Sequence, residues 1–157
     1  MLHLLVCTSV IVAAMERRHA AAIDAIRSLE GPSTRSIFVE GELRAGYTVA
    51  VKPNMSDVDV AVLNMREATL TAYLQLSYPD PMLSTSALSH RFGAVTAICA
   101  RERLKVGQSD RWILAEALAL GVPVLTADNA MYRLAEELAS SWLVPGVGAI
   151  ATLVDVS

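Results

Sequence analysis

Residues 109–128 read SDRWILAEALALGVPVLTAD, and this stretch decides the fold predicted for the chain. Apolar residues recur at helical spacing from Trp112 to Ala119, and Gly121 then stops the helix. Residues 122–125 are short, apolar and rich in valine, as expected for a strand buried on both faces of a parallel sheet. The segment therefore predicts a helix, a tight stop and a buried strand, which together form one unit of an α/β fold.

An acidic residue marks each end of this unit. Asp110 falls in the first turn of the predicted helix, and Asp128 follows the strand. Sites in open α/β sheets form at the carboxyl ends of the strands, so the two carboxylates can meet at one sheet edge. Carboxylate oxygens suit Mg²⁺ and Mn²⁺, and the pair therefore predicts a site for a hard divalent cation.

Each acid also has a purely structural interpretation. Asp110, following an N-cap at Ser109, would complement the dipole of its own helix. Asp128 would cap a last helix over residues 131–138.

Composition restricts the class of protein. The chain has 157 residues, 54% of them hydrophobic, which fits a single globular domain over residues 1–157 with a large core. The formal net charge of −3 argues against a general nucleic-acid binder. Cys7 and Cys99 lie in apolar runs, as in a reduced, cytoplasmic protein. The apolar run at residues 2–15 lacks the basic start of a secretory signal and is too short to span a bilayer, so no membrane association is expected.

Periodicity and caps predict the other elements. The chain opens with a predicted strand over residues 2–7 and a short helix capped by Thr8 or Ser9. Residues 34–39 fit either a strand or the entry to a helix, and residues 78–81 a rigid turn. Helices are expected over residues 18–29, 38–50, 56–73 and 86–103, and a last strand or two over residues 142–154. Three strand candidates alternating with helices predict an α/β domain with a parallel sheet.

Glu42 is the third acidic candidate. It stands in the predicted helix between Phe38 and Gly46, on a face that the pattern indicates is half buried. An inward-facing carboxylate needs hydrogen-bond partners or a metal ion.

Four segments together resemble a known family, the PIN-domain ribonucleases of the VapC toxin type from bacterial toxin–antitoxin pairs. They are LLVCTSVIV at residues 4–12, RHAAAI at 18–23, VEGELRAG at 39–46 and the helix–Gly–strand–Asp stretch at 109–128. The resemblance covers nearly the full length. It implies a three-layer fold with a central, mostly parallel sheet flanked by helices. It also implies that Glu42, Asp110 and Asp128 are catalytic acids that bind Mg²⁺ or Mn²⁺.

Cys7 is where this sequence departs from the family's pattern. The family places an acid at the end of the first strand, where it helps to coordinate the metal ion directly. A neutral thiol is a poor ligand for hard cations, so metal binding and activity should be weakened. The favoured interpretation of Cys7 itself is a small buried hydrophobic residue.

The resemblance implies a metal-dependent endoribonuclease, in which the ion acidifies water and neutralises charge on the scissile phosphate. Hydroxyls of Thr8, Ser9 and Thr126 could support the acidic ligands, and Arg111, next to Asp110, could contact RNA phosphates. It also implies a homodimer and a small antitoxin partner. The mean hydropathy of +0.43 agrees, because it predicts exposed apolar surface.

Two other function classes stay open at this point. With Cys7 in place of an acid, the chain fits a catalytically inactive PIN-like domain that binds RNA or a protein partner. The third class is a small-ligand-binding α/β domain unrelated to PIN proteins. The sequence contains no Gly-rich phosphate-binding loop, which argues against a nucleotide-dependent enzyme.

Overall fold

The computed structural model describes residues 4–79, 83–144 and 150–157. Five short strands make one sheet: β1 (Leu5–Val6), β2 (Ser33–Arg35), β3 (Ser77–Pro79), β4 (Val124–Thr126) and β5 (Ala151–Leu153). The described residues also form seven helices: α1 (Thr8–Met15), α2 (Ala20–Arg27), α3 (Ile37–Ala50), α4 (Asp57–Leu76), α5 (Thr85–Arg101), α6 (Gln108–Leu120) and α7 (Asn129–Ala139). The predicted α/β fold with helices around a central sheet is confirmed.

All the strand pairs of the sheet are parallel, in the order β3-β2-β1-β4-β5. The central strand, β1, and its neighbour β4 are the most apolar. Leu5 and Val6 of β1 are fully buried, and Val124 and Leu125 of β4 pair with them. A strand covered on both faces has no polar side to present, which explains these unbroken apolar runs. The carboxyl ends of β1 and β4 therefore lie side by side.

Several predicted elements are confirmed with small shifts in their bounds. Ser56 caps α4 through a capping box with Asp59, and Gly121 ends α6 in the left-handed conformation with φ 69°. Residues 34–39 satisfy both alternatives, since β2 ends just before α3 begins. Ser36 between them is the N-cap of α3.

Two predicted caps are wrong. Cys7, not Thr8 or Ser9, is the N-cap of α1, and it makes no side-chain capping bond. The Thr8 and Ser9 hydroxyls instead bond to groups distant in sequence, as described below. Gly107, not Ser109, is the N-cap of α6. In both cases the helix starts earlier than the nearest hydroxyl residue suggests.

The predicted turn over residues 78–81 is also wrong where it can be compared. Tyr78 and Pro79 belong to β3, which pairs with β2 at the edge of the sheet. Proline is tolerated on an edge strand because one side of that strand needs no ladder hydrogen bonds. Residues 80 and 81 lie outside the described part. The last predicted strand corresponds to β5, and residues 145–149 of that segment are likewise outside it.

No helix in the described ranges is long and apolar enough to cross a membrane.

Candidate active site

Cys7 lies at the centre of the candidate site, where β1 ends and α1 begins. Its backbone N–H donates to Leu125 O of the neighbouring strand at 2.9 Å, and its thiol donates to Met131 Sδ at 3.5 Å. The residue is only 2% exposed. Burial raises the pKa of the Cys7 thiol well above its usual range, so the sulfur is a neutral thiol at pH 7.

All three predicted acids act on this thiol electrostatically. After burial, the charge of Asp110 is the next cause that raises the pKa of Cys7, while a hydrogen bond with Thr126 opposes it. Glu42 and Asp128 add smaller effects in the raising direction. Charges carried by α3, α6 and the β4–α7 junction therefore all act on this one buried thiol, while the predicted catalytic site itself stays a prediction.

Asp110 shows how these acids affect one another. Burial first, and then the charges of Asp128 and Glu42, raise its pKa from 3.8 to about 6. The Asp110 carboxylate lies over the start of α6. Its Oδ2 atom is 3.2 Å from the position that a Cβ atom on Gly107 would occupy. Like charges held together in a partly buried pocket favour a bound cation or a proton.

Glu42 is half buried on α3 and accepts a hydrogen bond from the Thr8 hydroxyl in the first turn of α1. This contact holds the carboxylate on the side of α3 that faces α1. Thr8 therefore supports one of the acids, as predicted, and it does so in place of capping its own helix.

Asp128 caps the last helix, α7, which is the structural role that the sequence offered as an alternative. Its Oδ1 atom accepts from Met131 N at 3.0 Å and caps α7. Its own N–H donates to Thr126 Oγ1 at 3.1 Å. A capping carboxylate is fixed in direction, and here it is fixed at the end of β4, next to the end of β1.

Ser9 and Thr126 support the β4–α7 junction and not a carboxylate directly. Ser9 Oγ accepts from Ala127 N at 3.0 Å and lies 3.5 Å from Thr126 Oγ1. These bonds tie α1 to the backbone that carries Asp128. The predicted support from these two hydroxyls thus acts through the main chain.

The chemistry of the donor set fits a hard cation, because it offers carboxylate oxygens and a net negative charge. The side chains as they stand are not gathered around one point: in the described residues, no group of three or more His, Cys, Asp or Glu side chains could hold a metal ion. Glu42 is engaged by Thr8, and Asp128 by the start of α7. The predicted metal ligation by these acids stays a prediction.

The charge of Arg111 acts on a cysteine of α5. Its guanidinium is close to Cys99 of α5, where its charge partly offsets the burial that raises the pKa of that thiol. Its Nε atom is buried without a hydrogen-bond partner among the described residues. The predicted contact of Arg111 with RNA stays a prediction, and this position gives it no direct support.

Glu116 is a buried acid that the sequence reasoning passed over. It lies on α6, is 2% exposed and accepts hydrogen bonds from Ser36 Oγ and Ile37 N at the start of α3. A signal was present, since Glu116 interrupts an otherwise apolar run from Ile113 to Leu118. A charged residue in such a run must find partners.

Comparisons with known proteins agree with this architecture. VapBC2 from Rickettsia felis, solved bound to a DNA fragment from its promoter, has a TM-score of 0.68 at 16% identity, over 97% of this chain and 98% of that chain. VapBC-5 from Mycobacterium tuberculosis, of the VapBC family of toxin–antitoxin systems, has a TM-score of 0.61 at 19% identity, over 98% of both chains. These likenesses concern the fold. No curated protein matches the sequence significantly. The family model for the PIN domain matches residues 5–137, which is most of the chain, and the protein therefore belongs to the PIN domain family.

Proposed function

We propose that this protein is a metal-dependent endoribonuclease of the VapC toxin kind with an acidic site weakened by Cys7. The observation that carries the proposal is the pKa of Asp110, which burial and then its acidic neighbours raise to about 6. Three carboxylates that repel one another at a sheet edge form a pocket that a divalent cation would stabilise. Membership of the PIN domain family supports the same activity.

In this proposal Glu42, Asp110 and Asp128 hold Mg²⁺ or Mn²⁺. The bound ion would supply positive charge at the scissile phosphate and increase the acidity of water there. The chain's own residues prepare the pocket: Thr8 orients Glu42, and the α7 cap orients Asp128. Cys7 contributes a neutral sulfur where a fourth carboxylate would add charge, and thiols are poor ligands for hard ions. We therefore expect weak activity, greater with Mn²⁺ than with Mg²⁺.

Single-stranded RNA cleavage with Mn²⁺ and with EDTA tests the proposal. We expect slow, EDTA-sensitive cleavage by the wild type and none by Asp110→Asn. The matched control is Asp24→Asn, which removes an exposed carboxylate from α2 and should leave the rate unchanged. Equal rates for all three proteins, or cleavage that EDTA does not affect, would show that the acids are not the catalytic site.

The second candidate is an inactive PIN domain that binds RNA or a protein partner, and the neutral Cys7 favours it. Binding of the same RNA without cleavage at any Mn²⁺ concentration, in wild type and Cys7→Asp alike, would establish it. The third class, a ligand-binding domain unrelated to PIN proteins, is wrong because the chain belongs to the PIN domain family.

We also propose a small antitoxin as partner and a homodimer as the assembly. Both similar structures are of VapBC systems, which supports a two-protein pair. An apolar groove of about 390 Å³ between α1 and α2 suits an apolar segment that carries acidic residues, because two arginines flank it. The lining residues are Ala14, Met15, Arg18, Ile23, Ile26 and Arg27.

Both cysteines are free and buried, which suits a reducing compartment, and we propose a cytoplasmic location.

A further inference from the structure

Glu116 joins two helices that carry different acids of the candidate site. One of its oxygens, Oε2, accepts from the Ser36 hydroxyl, and the other, Oε1, accepts from Ile37 N at 3.2 Å. The neighbours of Glu116 along α6 are apolar and buried. A buried carboxylate is costly unless charge-assisted hydrogen bonds compensate it, and here a helix N-terminus supplies them.

The hydrogen bonds of Ser36 leave one direction for its hydroxyl proton. Ser36 is completely buried, and its Oγ accepts from Phe38 N at 3.2 Å and from Val39 N at 3.1 Å. A serine hydroxyl has a single proton to donate, and it goes to Glu116. The backbone N–H of Ser36 is bonded as well, to the Tyr73 hydroxyl at 2.8 Å.

The backbone N–H groups at the start of α3 are therefore all bonded, although the Ile37 side chain is exposed. These N–H groups have no acceptors inside the helix, and they donate instead to Ser36 Oγ and to Glu116. The same interface holds an aromatic stack, in which the rings of Phe38 and Trp112 are 5.4 Å apart with an interplanar angle of 13°. Stacking resists separation of the helices, while the carboxylate sets how α3 is placed along α6.

This placement matters because of where the acids stand. Glu42 is six residues after Ser36 on α3, and Asp110 is six residues before Glu116 on α6. Six residues are about 9 Å along a helix, so a shift at the Glu116 contact is carried to both acids by rigid segments. We propose that Glu116 is a positioning residue that sets the separation of Glu42 and Asp110 and thereby the cation affinity of the site. This inference rests on the proposed metal-dependent function.

The experiment compares variants on both sides of the contact. Glu116→Ala and Ser36→Ala each remove one partner, the double variant removes both, and Glu116→Gln keeps one acceptor oxygen. The matched control is Val95→Ala, which removes buried side-chain volume from α5 outside the contact. Mn²⁺ affinity is measured by water proton relaxation, and amide hydrogen exchange of α3 by mass spectrometry, on proteins shown to be folded by circular dichroism.

We expect each single alanine variant to lose about tenfold in Mn²⁺ affinity, as is usual for residues that orient metal ligands. The double variant should lose no more than the larger single loss, because both changes break the same contact. Glu116→Gln should recover part of the affinity. Val95→Ala should lower the melting temperature and leave the affinity for Mn²⁺ unchanged.

Wild-type affinity in folded Glu116→Ala and in Ser36→Ala would overturn the inference, as would an equal loss in Val95→Ala. If Glu116→Ala fails to fold, Ser36→Ala decides. If the wild type binds no Mn²⁺, the proposed function fails, and hydrogen exchange then tests the positioning alone. Faster exchange along α3 in Glu116→Ala than in Val95→Ala would support it, and equal exchange would overturn it.

Discussion

Residue 7 determines how much charge the site holds. Cys7 is the N-cap of α1 but makes no capping bond, and burial together with the charges of three carboxylates raises the pKa of its thiol. An aspartate at this position would gain a capping bond and add a negative charge to the pocket. The second effect should dominate without metal, because like charges in a buried pocket interact strongly.

We predict that Cys7→Asp lowers the melting temperature in EDTA and raises it more steeply than wild type when Mn²⁺ is added. RNA cleavage should rise with metal affinity, by tenfold or roughly that order, since an oxygen ligand replaces a thiol. Cys7→Asn is the control, because it offers the same capping oxygen without the charge. If Cys7→Asp and Cys7→Asn respond alike to Mn²⁺, residue 7 does not belong to the cation site.

Asp110 makes the stability of the metal-free protein depend on pH. Its folded-state pKa of about 6 is above its ordinary value of 3.8, so the folded chain binds a proton more tightly than the unfolded chain. The stability that protonated Asp110 contributes to the folded chain is therefore fully present below pH 4 and is lost as the pH rises toward 6. Two pKa units correspond to about 3 kcal/mol, and solvent screening of this partly exposed group reduces that to about 1–2 kcal/mol.

We predict that Asp110→Asn is more stable than wild type in EDTA at pH 7, by about 1–2 kcal/mol, and that this difference shrinks as the pH falls toward 4. Urea unfolding at intervals from pH 4 to pH 8 measures it. The exposed-site variant Asp24→Asn should follow the wild-type curve. A difference that grows toward low pH would mean that Asp110 is not destabilised by its neighbours.

At the scale of elements, local patterns predict what local chemistry determines. The start of α4 at Ser56 and the stop of α6 at Gly121 need only neighbouring residues, and both are confirmed. β3 was missed because the sequence from Tyr78 to Pro81 resembles a turn, and only pairing with β2 makes residues 77–79 a strand. The predicted cap by Thr8 is wrong for the same reason, because its hydroxyl bonds to Glu42, which is 34 residues away in sequence.

The residues of the candidate site also differ in whether local sequence patterns could predict them. Asp110 and Asp128 could be found because parallel topology places strand ends and helix starts at one edge. Glu116 could not be placed, because its role depends on Ser36, which is 80 residues away in sequence. The lone charge in an apolar helix indicates that a partner exists, but the fold alone identifies it.

Asp128 combines a structural and a proposed metal-binding role that two variants separate. Asparagine keeps the oxygen that caps α7 at Met131 N, and alanine does not. Both variants are neutral, so a comparison between them isolates the cap. We predict that Asp128→Ala is about 1 kcal/mol less stable than Asp128→Asn in urea unfolding with EDTA. Both should lose Mn²⁺-dependent cleavage, and a fully active Asp128→Asn would restrict this residue to capping.

At the scale of the whole molecule, apolar residues remain exposed where α3 ends and α4 begins. Val49 is 77% exposed and Val58 is 73% exposed, with Val51 and Val62 also exposed around them. A cluster of valines on one end of a helix pair is costly in water and is typical of a contact surface. We assign this valine cluster to the proposed contact with a second copy of the chain, since two such surfaces related by a two-fold axis cover each other.

We predict that Val58→Glu converts the proposed dimer to a monomer without unfolding the chain. Val58 lies in the first turn of α4, where a negative charge is favourable to the helix, so the fold should tolerate the change. In a dimer two such charges would face each other across the two-fold axis and lose contact with water, which disfavours association.

Sedimentation equilibrium at micromolar concentration should give twice the chain mass for the wild type and the chain mass for Val58→Glu. Trp142→Glu, which changes an equally exposed apolar residue outside the valine cluster, should remain dimeric. A monomeric wild type, or a dimeric Val58→Glu, would show that the valine cluster does not join two copies.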